Sequence, residues 1–224
     1  MKKIALLLAA MVAGSAASRA EYSISLDFPF VSDYVFRGLQ FADGSIQPSI
    51  EFAVDDLYAG IWTSQPVTGG YANEFDFYMG YGFALSDTWS VDLGATYYFY
   101  PETPSGDEQF EPFVGLAGDL GGGLSASVYL YYETEFEVTT FQGGLGYSQS
   151  IDDTSSIDYA FDYGFASGSG VTDYTYLSLS ATYNYAFTDS ASGYAGIVYT
   201  ANDLDIPGAD NSWVYFITGV SIGF

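Results

Sequence analysis

Carboxylates dominate the chemistry that this chain can perform. Its 224 residues include 28 Asp and Glu against 4 Lys and Arg, with no His and no Cys, and the formal net charge is −24. Without histidine or cysteine the chain lacks the commonest general base, the thiol nucleophile and most zinc sites. A nucleic-acid partner is excluded as well, because binding phosphates requires a basic surface. The remaining chemical roles are the attraction of cations and acid–base catalysis by paired carboxylates.

Two acidic motifs could carry a catalytic or metal site. Glu74 and Asp76 would lie on one side of an extended strand, roughly 7 Å apart, a spacing compatible with glycoside hydrolysis. No neighbouring sequence marks a sugar cleft, so we expect no enzyme. Residues 203–208 (DLDIPG) resemble part of a calcium loop, but Pro207 and Val214 stand where further oxygen ligands are needed. We therefore expect no metal and no other cofactor.

The elements that position these carboxylates have a period of two. From 89 to 99 mainly bulky apolar residues take the odd positions, and the alternation recurs in 74–85 and 157–165. Successive side chains of a strand point to opposite faces, so this pattern predicts strands, and no stretch predicts a helix. The predicted strands are 22–37, 45–54, 57–64, 73–85, 89–100, 108–118, 123–133, 136–149, 155–165, 174–187, 192–201 and 212–224.

The connections between these segments predict how they assemble. They are short after the even-numbered segments, as at 55–56 and 86–88, and tend to be longer after the odd-numbered ones, as at 101–107 and 202–211. Short turns at one end and longer loops at the other are typical of outer-membrane barrels. The fold class predicted is all-β, a closed antiparallel up-and-down transmembrane β-barrel of about 12 strands.

The bulky face of each segment indicates which side meets lipid. Away from the segment ends it carries no charged residue, as hydrocarbon requires, because a charge at mid-membrane costs about 2–4 kcal/mol. The alternative is a secreted soluble barrel or sandwich, but a soluble surface mixes charges of both signs. We expect the bacterial outer membrane, with its lipid and assembly machinery as partners. Phe224 resembles the terminal aromatic signal that this machinery recognises.

The first twenty residues have the features of a secretory signal peptide. Lys2 and Lys3 precede an apolar run over 4–13, which is too short to span a bilayer, and small residues then allow cleavage after Ala17 or Ala20. The predicted organisation is a signal peptide over 1–20 and an outer-membrane β-barrel over 21–224. Cleavage after Ala20 leaves Arg37 as the single basic residue beside all 28 acids.

Five short blocks carry a family resemblance. They are 32–38 (SDYVFRG), 47–51 (QPSIE), 57–62 (LYAGIW), 74–81 (EFDFYMGY) and 98–101 (YFYP). Together they resemble the TorF-like putative porins, a conserved proteobacterial group of unknown function, over about residues 30–101. The chain departs from that pattern at 63–66 (TSQP), where a Ser-Asn pair usually follows the Trp, which leaves the selectivity of this loop open. The resemblance implies an outer-membrane porin-like barrel and no particular substrate.

If the bulky face meets lipid, alternation assigns the other residues to the lumen. So many carboxylates with one cation cannot pair internally, which favours a water-filled, narrow pore that passes small hydrophilic solutes and prefers cations. The alternatives are acids that only solubilise outer loops, and a non-conducting structural or adhesive barrel. The predicted pore-lining residues are Asp27, Asp33, Arg37, Glu51, Glu74, Asp76, Asp92, Glu111, Glu133, Asp158 and Asp162.

The most specific prediction concerns the partner of Arg37. As the remaining cation on the lumen side it should bind a carboxylate. Asp33 shares its face but lies roughly 13 Å away along a strand, so Glu51 on the next strand and acids across the lumen are the alternatives. The pair would either narrow the pore mouth or fix the register of the first strand.

Overall fold

The computed structural model describes residues 22–103, 107–169 and 171–224, so the predicted signal peptide lies outside the described residues. Within these ranges there are fifteen strands. No helix of the described ranges is long and apolar enough to span a bilayer. The strands are β1 (Tyr22–Val31), β2 (Tyr34–Phe36), β3 (Leu39–Ala42), β4 (Ser45–Ile46), β5 (Ser49–Val54), β6 (Leu57–Pro66), β7 (Glu74–Ala84), β8 (Trp89–Tyr100), β9 (Asp107–Gly121), β10 (Leu124–Glu133), β11 (Val138–Ser150), β12 (Ser155–Gly168), β13 (Tyr174–Thr188), β14 (Ala191–Asn202) and β15 (Ser212–Gly223).

Twelve strand positions close into an antiparallel barrel. Neighbours along the chain pair with one another from β5 to β15, and the short strand β4 extends the position of β5. The first strand, β1, closes the ring, since Leu26 pairs with Ile50 of β5 on one side and with Ile222 of β15 on the other. The predicted fold class is confirmed.

The two ends of the barrel differ in their connections. Turns of two to four residues join β5 to β6, β7 to β8, β9 to β10, β11 to β12 and β13 to β14, and we call this side the short-turn end. Tyr22 and Phe224 lie at the same end, where the backbone of Ile24 exchanges hydrogen bonds of 3.1 and 2.9 Å with Phe224. The opposite, long-loop end carries most of the longer connections, as outer-membrane barrels do on their outer side.

The exposed face of the barrel is apolar and its inner face carries the acids. On β7, Phe77, Met79 and Phe83 are exposed, whereas Glu74 and Asp76 are buried. The same alternation continues around the ring, for example with Leu130 exposed on β10 beside a buried neighbour at Tyr129. This confirms the predicted orientation of the two faces and is the reverse of a soluble barrel with an apolar core.

The first predicted strand, 22–37, is wrong beyond Val31. The chain leaves the barrel wall at Ser32 and forms the hairpin β2–β3 (residues 34–42), a separate two-stranded sheet. Arg37 and Gly38 occupy its turn with φ of 48° and 78°, as a two-residue turn with both central φ values positive requires. The alternation continues through β2, which is why the sequence pattern did not reveal the break.

Large rings also stand on the inner face, for example those of Tyr58 and Tyr129. Several of these rings are accommodated by a glycine directly opposite on the neighbouring strand, as for Tyr58 with Gly80 and Tyr129 with Gly115. A Cβ added to Gly115 would overlap the Tyr129 ring. At these positions the register matches one tyrosine to one glycine, and the ring lies against the wall.

Replacing an outward residue by arginine tests the orientation of the faces. Met79→Arg at the centre of β7 should lower the free energy of unfolding by about 2–4 kcal/mol, because it places a charge at mid-membrane. Ile206→Arg is the matched control, since both side chains are 55 % exposed but Ile206 lies in a loop at the long-loop end. Urea unfolding of the barrel refolded into lipid vesicles measures both. Equal costs would contradict a lipid-facing surface at Met79.

Candidate functional site in the barrel lumen

The tip of the β2–β3 hairpin binds the opposite wall of the barrel through an ion pair. Arg37 Nη1 lies 2.6 Å from Glu111 Oε2 and donates to it, and Nη2 donates to Oε1 at 2.9 Å. Tyr98 donates a third hydrogen bond, of 2.9 Å, to Glu111 Oε1. Two parallel charge-assisted hydrogen bonds fix orientation as well as contact, which a lysine at position 37 could not reproduce.

Aromatic rings enclose this ion pair. The Arg37 Cζ lies 4.2 Å from the centroid of the Tyr131 ring and 4.7 Å from that of Phe36. The side chains of Arg37 and Glu111 are 9 % and 2 % exposed. Removing one partner of so buried a pair would leave an uncompensated charge out of water, which is strongly destabilising. The seated hairpin therefore depends on both residues.

Of the partners considered for Arg37, the acid across the lumen is the correct one. Glu111 lies on β9, on the far side of the barrel from β1, and Asp33 and Glu51 do not bind the guanidinium. Position 37 reaches the lumen at the tip of a hairpin and not as part of a wall strand. The register of β1 is set by its pairing with β5 and β15, so a register-fixing role for the pair is wrong.

The rest of the hairpin packs across the lumen. Asn202 on β14 donates a 2.6 Å hydrogen bond from Nδ2 to the carbonyl oxygen of Gly38. Leu39 contacts an apolar cluster that includes Tyr176 on β13. On the other side, the Tyr34 ring lies 5.5 Å from that of Trp62 on β6. The hairpin thus touches walls on several sides of the lumen.

Tyrosine hydroxyls hold several of the inner carboxylates. Asp92 is fully buried and accepts hydrogen bonds from Tyr58 (2.9 Å) and Tyr129 (3.3 Å). Glu51 accepts one of 3.1 Å from Tyr78.

Two further acids follow the same rule. Tyr100 donates to Glu74 at 2.7 Å, and Tyr194 donates to Asp27 at 3.0 Å. The expectation that the carboxylates beyond the one bound to Arg37 cannot pair internally does not hold for these four, because tyrosines bind them. Tyrosine hydroxyls donate hydrogen bonds to these carboxylates in place of a basic side chain.

The remaining predicted pore-lining residues have different surroundings. Asp76 is buried on β7, two residues from Glu74, and Glu133 binds the backbone N–H groups of Glu135 and Phe136 at 2.7 and 2.8 Å. Asp33 belongs to no wall strand; it lies at the base of the hairpin, where Gln40 donates a hydrogen bond of 3.1 Å to it. That any of these residues lines a pore stays a prediction.

Asp158 and Asp162 on β12 face a more open part of the lumen. Both are half-buried, and Asp158 accepts hydrogen bonds from Ser148 (2.6 Å) and Asn184 (2.9 Å). Small residues surround them on the inner faces of the neighbouring strands, and these are also partly exposed. We call this region the vestibule; it is lined by Ser127, Gly144, Gly146, Asp158, Asp162, Ser180, Thr182 and Gly196.

Exposure of the inner wall falls from the short-turn end to the long-loop end. On β13, Thr182 and Ser180 are partly exposed, whereas Ser178 and Tyr176 are buried. The inner faces of β11, β12, β14 and β15 change in the same way, at the level where the hairpin lies. The vestibule therefore opens towards the short-turn end and is closed by the hairpin above it.

The acidic loop at 203–208 has a structural role. Asp203 accepts hydrogen bonds from the backbone N–H of Thr175 at 2.6 Å and from its hydroxyl at 2.8 Å. These bonds lower the pKa of the Asp203 carboxyl, the backbone bond being the larger cause. In the described ranges no three acidic side chains lie close enough together to hold a metal ion.

Sequence reasoning missed the aromatic half of the site. Tyr58, Tyr98, Tyr129 and Tyr131 have the same strand parity as the inner acids, so applying alternation to tyrosine would have placed them in the lumen. The Arg-Gly pair at 37–38 was a possible turn signal. The glycine partners and Asn202 depend on strand register and could not be found this way.

A family description, "Bacterial protein of unknown function (Gcw_chp)", matches residues 15–128, which are 114 of the 224 residues. The chain belongs to this family. The match covers the hairpin, Glu111 and the strands from β1 to β9. No curated protein matches the chain in sequence.

Solved structures similar to this barrel are outer-membrane porins and channels. The KdgM porin has a TM-score of 0.62 at 12 % identity, covering 89 % of this chain and 99 % of its own. The NanC porin has a TM-score of 0.61 at 15 % identity, with 89 % and 98 % covered. An outer-membrane channel from Pseudomonas putida F1 gives 0.52 at 10 % identity, with 93 % and 97 % covered. At such identities the likeness establishes a porin-like fold.

Removing a tyrosine hydroxyl tests whether the inner acids are held as described. Tyr58→Phe should lower the free energy of unfolding by about 1–3 kcal/mol, because it takes a donor from the fully buried Asp92. Tyr183→Phe is the control, since Tyr183 is on the exposed face. Denaturant unfolding followed by tryptophan fluorescence gives both values. An equal, small effect of the two substitutions would show that Tyr58 does not stabilise Asp92.

Proposed function

We propose that this protein is an outer-membrane porin-like channel for passive diffusion of small hydrophilic solutes, with a preference for cations. The observation that carries the proposal is the vestibule: a polar, partly exposed space inside a closed barrel whose outer surface is apolar. The porin-like fold and the earlier resemblance to TorF-like porins support the same function. The proposal includes lipid and the outer-membrane assembly machinery as partners, and no catalytic activity.

The charges of the inner wall support a cation preference. Glu111 already compensates Arg37, the one basic side chain in the described part of the chain. Asp158 and Asp162 face the vestibule, and the two residues that donate to Asp158, Ser148 and Asn184, are neutral. A polar passage with acids and no compensating cation lowers the energy of a permeating cation and raises that of an anion.

A non-conducting barrel is the second candidate, and the hairpin is the observation that favours it. Residues 34–42 lie inside the lumen, and Thr140, Ala166 and Thr200 on the surrounding walls are 3 % exposed or less. A barrel closed permanently in this way would serve as an envelope component or an adhesive surface. Conductance separates the two candidates, because a permanently closed barrel passes no ions.

Reversal potentials across a planar bilayer in a salt gradient test the cation preference. The wild-type protein should pass cations more readily than anions. The double variant Asp158→Asn/Asp162→Asn should move the permeability ratio towards one, because it removes two negative charges from the vestibule. Asp210→Asn is the control, since it removes a charge from an exposed loop.

Two results would contradict the selectivity part of the proposal. One is a wild-type pore that prefers anions. The other is an equal shift in the double variant and in Asp210→Asn, which would assign the preference to the overall charge of the protein and not to the vestibule.

A further inference from the structure

The β2–β3 hairpin is continuous with the strands of the barrel wall at its two ends only. It forms its own sheet, and its strands share no backbone ladder with the wall. The chain enters it at 32–33, directly after β1, and leaves it at 43–44, directly before β4. The hairpin can therefore move as a unit without breaking the strand pairing that holds the barrel together.

Specific contacts at its tip keep the hairpin in the lumen. The polar ones at its tip are the Arg37–Glu111 ion pair and the hydrogen bond from Asn202 to the Gly38 carbonyl. Leu39 and the hairpin aromatics add apolar contacts. The seated position of the tip therefore depends on these contacts.

The hairpin lies where the vestibule would otherwise continue to the long-loop end. Below it the inner wall is partly exposed, and at its level Ser178, Val198 and Tyr215 on three neighbouring strands are buried. Moving the hairpin would expose these residues and extend the vestibule along the wall formed by β11 to β14. Thr140, Ser178 and Thr200 on that wall carry hydroxyls that would bind water in the extended passage, and Ala166 and Val198 between them are apolar.

We propose that the hairpin is a gate, and that the Arg37–Glu111 pair is the latch that holds it closed. Seated, it blocks the long-loop mouth above the vestibule. Unseated, it opens a passage for hydrophilic solutes past Asp158 and Asp162. This inference rests on the proposed channel function and adds that conduction requires release of the latch.

A reversible disulfide tests the gate directly. A Cβ at position 38 would lie 3.2 Å from the Cβ of Asn202 but only 2.7 Å from the Cβ of Tyr176, at a positive φ, so the tip must shift slightly to reach disulfide spacing. The single variant Gly38→Cys measures the effect of this strain alone. The chain has no cysteine, so Gly38→Cys/Asn202→Cys introduces the only two thiols. Oxidised protein should show little or no current in planar bilayers. Reduction with dithiothreitol should raise the current several-fold, and the two single-cysteine variants should not respond.

Weakening the latch tests its role separately. Glu111→Gln removes the charge but keeps the shape, and it should raise the open fraction of single-channel records several-fold, as should Arg37→Ala. Arg37→Lys keeps the charge but loses the two-fold hydrogen bonding, and it should give an intermediate value. Asp189→Asn, in an exposed turn at the short-turn end, is the control. Circular dichroism and resistance to protease verify that each variant is a folded barrel.

The outcomes separate the gate from the channel. Equal current from oxidised and reduced double-cysteine protein, once the disulfide is verified by mass spectrometry, overturns the gate and leaves the channel intact. If Glu111→Gln and Arg37→Ala have the same open fraction as the wild-type protein, the Arg37–Glu111 pair is not a latch. No current from wild type, from the reduced double variant or from any latch variant overturns the proposed channel function itself.

Discussion

The bidentate contact between Arg37 and Glu111 determines how the lumen is organised. It joins the tip of a hairpin that starts at β1 to a strand on the opposite side of the ring, with both side chains almost fully removed from water. The surrounding aromatic side chains exclude water from the pair, which strengthens its electrostatic attraction. Through this contact one basic residue sets which half of the lumen is closed and which half remains a vestibule.

The fold was predictable because the bilayer imposes a simple rule on the sequence. Each strand must alternate between a lipid-facing and an inner residue, so a period of two, as over 89–99, gives both the strand and its orientation. Eleven of the twelve predicted segments correspond to barrel strands within a few residues. The first does not, because β2 continues the alternation of β1 after the chain has turned into the lumen.

The lumen was less predictable because its contacts join residues far apart in sequence. Alternation assigned ten acids to the lumen, nine of which lie on wall strands. It did not predict which tyrosines hold them, since Tyr58 and Tyr129 meet at Asp92 only in the assembled barrel. Glu111 was one of several acids open to Arg37, and the choice among them depends on how far the hairpin reaches. The local sequence pattern predicts the face of the sheet on which a residue lies. The residue that it contacts depends on how the strands assemble into the barrel.

The central claim is that the inward hairpin, and not the packing of the wall itself, closes a barrel with a water-filled passage. Single-channel recording of a variant in which residues 34–42 are replaced by a short Gly-Ser linker tests it most directly. The account predicts a folded barrel with a stable, cation-preferring conductance well above that of the wild-type protein. A folded barrel of this variant that passes no ions would contradict it, because the tyrosines and carboxylates of the wall would then fill the lumen without the hairpin.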